Sequence, residues 1–143
     1  MSQRVPDFPA QRIVFLALLL GMTGYAIAAA VVLQSNDGHG LAEHAVPALD
    51  TTSIVVGICT TLTALLTRTI IHNRAKRLEG RRRQAALFRS RLVPLVLLEG
   101  GCLLGITVWL LNGRAVPGLA TAMVLLAIAI AITPFTDPDA TTG

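Results

Sequence analysis

Apolar residues fall in four long runs along this chain, Ile13–Leu33, Thr51–Ile71, Leu92–Leu111 and Val116–Ile132, with the polar residues gathered mainly between them. A helix that crosses about 30 Å of hydrocarbon needs about 20 predominantly apolar residues. The first three runs meet that length, and the shorter fourth extends through Pro117, a residue tolerated in the first turn of a helix. The pattern predicts an all-α integral membrane fold in a single domain, residues 1–143. Its four transmembrane helices are expected as two antiparallel hairpins. Composition agrees: 53% hydrophobic residues, 14% charged and a mean hydropathy of +0.66 are too apolar for a water-soluble domain of this size.

Charge sets the expected orientation. The segment 72–91 carries Arg74, Lys76, Arg77, Arg81, Arg82, Arg83, Arg89 and Arg91 against Glu79 alone, whereas 34–50 carries Asp37, Glu43 and Asp50 with no Lys or Arg. Short loops rich in Lys and Arg stay on the cytoplasmic side. Both termini are therefore expected in the cytoplasm, in agreement with Arg4 and Arg12 ahead of the first run. The implied location is a bacterial-type inner membrane. The formal charge of +4 comes from the basic segment, whose eight Lys and Arg against one Glu outweigh the rest of the chain. That segment lacks interleaved aromatics apart from Phe88 and does not read as a nucleic-acid surface. Anionic lipid headgroups are the expected partners of Arg74, Lys76, Arg77, Arg81, Arg82 and Arg83, each attracted by about 1 kcal/mol. Good helix formers such as Ala75, Leu78 and Ala85 to Leu87 are interrupted only by Gly80, so the flanking helices are expected to continue past the membrane surface.

Two features of the first run are ambiguous. Arg4, Arg12 and the later Ala26-Ile27-Ala28 imitate a signal peptide with its cleavage site, but the apolar run continues through Leu33 and is long enough to span. Offset by 79 positions, Arg12 to Gly21 also matches Arg91 to Gly100 at an Arg, a Val, three Leu and a Gly. Such an internal duplication would make two parallel hairpins, a known membrane architecture. Leu20 would then stand where the other half has Glu99.

Glu99 interrupts the third apolar run. A carboxyl at membrane depth is costly, rare and commonly functional. Counted from Leu92, it lies about 10 Å inward. The antiparallel second helix brings Thr63 and Thr67 to similar depth and carries a small, polar seam, Ser53, Gly57, Thr60, Thr63, Ala64 and Thr67. Arg68 is within reach or snorkels to the surface. Three readings follow. Glu99 is a neutral group bonded to the threonines, a partner of Arg68, or a proton- or cation-binding site built with Thr63, Thr67 and Arg68.

Gly100, Gly101 and Gly105 form a smooth patch beside it, and Ala17 with Gly21 and Gly24 with Ala28 make similar small pairs in the first run. Small residues at four-residue spacing mark close helix contacts. Cys59 and Cys102 sit inside apolar runs and read as small hydrophobes. His39, Glu43 and His44 match no metal motif spacing, so no metal site and no cofactor are expected. Tyr25 and Trp109 suit the outer interface. No paired carboxylates, Gly-rich phosphate loop or nucleophile with a base appears, which argues against an enzyme.

The stretch Leu98-Glu99-Gly100-Gly101-Cys102-Leu103-Leu104-Gly105-Ile106-Thr107-Val108 resembles the Glu-bearing helix of the proteolipid c subunits of rotary ATPases. It is closer still to a group of small bacterial four-helix membrane proteins related to that hairpin. Those proteins share a segment like Ala86-Leu87-Phe88-Arg89-Ser90 before the Glu helix and a Pro-bearing acidic tail like Ile132-Thr133-Pro134-Phe135-Thr136-Asp137. The resemblance implies that Glu99 is a reversible proton carrier. Two functional expectations result. One is a structural or accessory multi-pass protein, self-associating or bound to a membrane complex, with Glu99 as a buried contact. The other is a proton- or cation-binding ring or channel subunit.

Overall fold

The computed structural model describes residues 8–42 and 47–133. Arg4, Glu43, His44 and the segment Pro134 to Asp137 lie outside the described residues, as does the side chain of Arg81. Four helices follow in order: α1 (Phe8–Ser35), α2 (Pro47–Ala75), α3 (Gly80–Asn112) and α4 (Gly118–Ile132). The first three are long and apolar enough to cross a membrane. At 29 and 33 residues, α2 and α3 measure about 43 and 50 Å, well beyond a hydrocarbon core of about 30 Å. Their excess length is the basic segment, which is helical except for a turn from Lys76 to Glu79. In that turn the Lys76, Arg77 and Leu78 N–H groups donate to His72, Arg74 and Ala75 carbonyls. Only α4 falls short, at 15 residues or about 22 Å. It begins at Gly118, with Pro117 just outside as its cap and the Val116–Pro117 peptide cis.

The centre of the fold is α3. Of the most apolar stretch of each long helix, 44% is buried in α3, against 17% in α1 and 11% in α2. It packs against all three other helices, while among the described residues α1 and α2 make no contact with each other. The two are held through α3 rather than through each other. The reason lies in the burial pattern. The buried residues of α1, Phe15, Met22, Ala29 and Leu33, recur at helical spacing as one stripe, and that stripe is occupied by α3. On α2 the buried and half-buried positions Ser53, Gly57, Thr60, Ala64, Thr67, Ile71 and Ala75 form a second stripe, also turned to α3. This is the predicted small seam with one change: Thr63 is exposed.

Outside these stripes the surface is aliphatic. Ile13, Leu20 and Ile27 on α1, Val55, Leu62 and Leu66 on α2, and Met123 and Val124 on α4 are all exposed. Each would cost about 1.5–3 kcal/mol in water relative to burial, and nothing of the kind in hydrocarbon. In lipid a backbone must satisfy its own polar groups, and a helix does so within one segment.

The helix ends need separate provision, since the last carbonyls of a helix have no internal donors. At the end of α3, Gly113 takes a left-handed conformation (φ 70°) and its N–H donates to the Trp109 carbonyl at 2.8 Å. The two carbonyls that follow are served from elsewhere in the chain. Leu41 N–H donates to Leu110 (3.1 Å) and Ala42 N–H donates to Leu111 (2.9 Å), so the α1–α2 connection lies across the end of α3. Gly40 permits this: a side chain there would collide with the Leu111 carbonyl. Nearby, Asn112 Nδ2 donates to Asp50 Oδ1 at 2.7 Å, joining the end of α3 to the start of α2. Asp50 stands in the first turn of α2, where the helix dipole favours a negative charge.

Candidate functional site

Glu99 is half-buried near the middle of α3, and it faces α1. A Cβ placed on Gly21 of α1 would lie 3.6 Å from Glu99 Oε1, so the carboxyl occupies space that Gly21 leaves free. Among the described residues it makes no hydrogen bond and no ion pair. The expected neighbours are elsewhere. Thr63 and Arg68 are exposed and Thr67 is half-buried on the α2 stripe, and none of the three bonds to Glu99. Helical geometry explains the correction. At 100° per residue, Glu99 and Gly101 lie 200° apart on α3, and Gly101 is the residue that meets α2. A methyl on Gly101 would sit 2.9 Å from Leu125 Cδ1 of α4 and 3.2 Å from Thr60 of α2. Glu99 must then point away from both.

Other contacts mark the same α1–α3 seam. Toward the basic end, the rings of Phe15 and Phe88 lie 6.0 Å apart. Toward the other end, Tyr25 Oη lies 3.0 Å from Thr107 Oγ1. Thr107 donates its only hydroxyl proton to the Leu103 carbonyl at 2.8 Å, so Tyr25 is the donor to Thr107. This bond was not foreseen, although Tyr25 and Thr107 both lie on the α1–α3 side. The seam thus holds a ring pair, a carboxyl against a glycine, and a phenol-to-hydroxyl hydrogen bond, in that order. A carboxyl so placed has two chemical capacities. It binds a proton, or it offers oxygens to a small cation that enters between α1 and α3.

The glycines divide sharply. Gly105 is closely packed, since an added methyl would lie 2.8 Å from the Gly118 carbonyl and 3.2 Å from Ala122 Cβ. Gly118 in turn abuts the Gly105 carbonyl and the Trp109 N–H, and Gly57 abuts the Thr121 side chain. Gly100, expected in the same packed patch, is exposed with nothing near it, and so is Gly24. Ala17 and Ala28 are exposed too, so of the small pairs of α1 only Gly21 meets another helix, at Glu99. Cys102 is buried, its thiol donating to the Ala122 carbonyl at 3.5 Å, and Cys59 is exposed. Among the described residues no group of three His, Cys, Asp or Glu side chains is placed to hold a metal ion.

Arg74, Lys76, Arg77, Arg82 and Arg83 are all exposed at the basic end, with Arg74 in the last turn of α2 and Arg82 and Arg83 in the first turn of α3. Compared with known protein families, curated proteins and solved structures, the chain matches none. The likeness of Leu98 to Val108 to the proteolipid helix rests on those residues alone.

Proposed function

We propose that this chain is a multi-pass protein of a bacterial-type inner membrane whose working group is Glu99, a carboxyl that takes up and releases a proton or small cation in the seam between α1 and α3. The observation that carries the reading is a half-buried carboxyl in an apolar helix, opposite a glycine and without hydrogen bond or ion pair among the described residues. A structural lock would have its polar atoms satisfied, whereas a binding group keeps them available. The likeness to the proteolipid helix points the same way. In this arrangement the basic turn lies in the cytoplasm with both termini. α4 crosses alongside α3, its short length offset by close packing and local thinning of the bilayer.

A second reading has one observation in its favour. The Tyr25–Thr107 hydrogen bond shows that polar groups fasten α1 to α3 along this seam. Glu99 would then be a buried contact of a structural or accessory protein, satisfied when copies or partner helices associate.

Carbodiimide labelling separates the two, because the reagent couples to protonated carboxyls in apolar surroundings. On the full chain in nanodiscs, the first reading expects Glu99 to be modified faster at lower pH and to be protected by a small cation such as Na⁺. Particle mass is read in parallel. An unreactive Glu99 at every pH, in a particle of defined copy number, overturns the first reading in favour of the second. Glu99→Gln assembles under both but loses proton or cation binding only under the first.

A further inference from the structure

The basic end carries eight Lys and Arg residues, yet one face of α2 differs from the rest in shape. Ile70, Asn73, Arg74 and Arg77 line a shallow depression of about 320 Å³. Spacings of three and four put Ile70, Asn73 and Arg74 on one side of α2, and Arg77 of the following turn joins them at the depression. That side is turned away from the stripe that meets α3. Leu66 and Leu62 lie on it one and two turns before Ile70, and all three are exposed aliphatics. Along a single face the surface therefore passes from bare aliphatic side chains to an amide and then to two guanidinium groups. Neither arginine is ion-paired among the described residues.

We infer that this face of α2 is a binding site for one anionic phospholipid of the cytoplasmic leaflet. Its acyl chain lies along Leu62, Leu66 and Ile70, and its phosphate is held by Arg74 and Arg77 with Asn73 donating a further hydrogen bond. Charge complementarity and the order of the residues identify the occupant. Guanidinium groups present paired donors that match phosphate oxygens. A soluble phosphate would use the arginines but leave the aliphatic stripe unexplained, and an apolar helix would leave the arginines uncompensated. The assignment rests on the basic end of α2 meeting the cytoplasmic leaflet. It is independent of the role given to Glu99.

The site differs in a measurable way from a diffuse basic surface, on which every arginine counts alike. The full chain is reconstituted with mixed phosphatidylglycerol and phosphatidylcholine, and lipids retained after stepwise detergent washing are counted by native mass spectrometry. Retained phosphatidylglycerol is expected, and Arg74→Gln with Arg77→Gln weakens its retention roughly 30-fold, the worth of two arginine contacts. Arg82→Gln with Arg83→Gln removes the same charge from the start of α3 and leaves retention within about 2-fold of the parent, since both are exposed outside the depression. Equal losses in the two variants overturn the site, as does equal retention of phosphatidylcholine. Displacement by soluble glycerol 3-phosphate also overturns it, because the acyl stripe would then be idle. A chain that retains no phosphatidylglycerol after washing overturns the site as well.

Discussion

The two sides of α3 are built on opposite principles. On the side of Gly101 and Gly105, the neighbouring helices come so close that a single methyl would meet backbone or side-chain atoms at 2.8–2.9 Å. On the side of Glu99 and Gly100, a Cβ on the facing glycine would still have 3.6 Å to the carboxyl, and Gly100 has open space. Gly100 and Gly101 are adjacent in the chain and chemically identical, yet one is a contact and the other is not. In a helix, a rotation of 100° decides the role of a small residue. The close side fixes α2 and α4 by dense packing, the main source of helix association where no hydrophobic drive exists. The Glu99 side is packed at ordinary contact distance and holds a carboxyl instead of a glycine.

Substitutions that fill space should separate these sides most strongly. Gly105→Ala is expected to cost about 1–3 kcal/mol, because the Gly118 backbone cannot swing aside as a side chain can. Thermal unfolding in detergent measures it, and an unchanged midpoint would remove the distinction between the sides. Asn112→Ala comes next, at about 1–2 kcal/mol, since it strips Asp50 of its donor at the α2–α3 junction. Tyr25→Phe acts on the looser side and should cost about 0.6 kcal/mol, the usual worth of an interhelical hydrogen bond in a membrane. Faster hydrogen exchange confined to α1 would report it; equal acceleration in α2 would contradict a seam-specific role. The smallest effect carries the opposite sign. Gly100→Ala is expected to leave stability unchanged or raise it by up to about 1 kcal/mol, as a helical glycine with free space gains from a methyl. A loss instead would mean that Gly100 is covered by a second copy.

Much of the helical layout was legible in the sequence. The apolar runs locate all four helices, and the run at 116–132 ends where α4 ends. The true limits of α2 and α3 lie farther out, because Arg, Lys, Gln and Ala sustain a helix in water as readily as Leu does in lipid. The Ser53 to Thr67 seam was readable because it repeats on one face. The surroundings of Glu99 were misjudged for a geometric reason. Counting along the axis gives its depth, which selects rows of neighbours, but not its azimuth. The azimuth was implicit in the glycine patch: once Gly101 marks the packed side, Glu99 belongs opposite. Two features gave no sequence signal. Gly40 at the end of α3 and Gly118 against Gly105 are backbone contacts between segments distant in the chain, and a lone glycine does not announce its partner.

Among the described residues α1 and α2 make no contact, so the position of each depends on the rest of the bundle rather than on the other. The third helix supplies the surface that both stripes meet and the carbonyl ends that Leu41 and Ala42 cap. A change that unseats α3 is therefore expected to free α1 and α2 together, since among the described residues neither packs on the other.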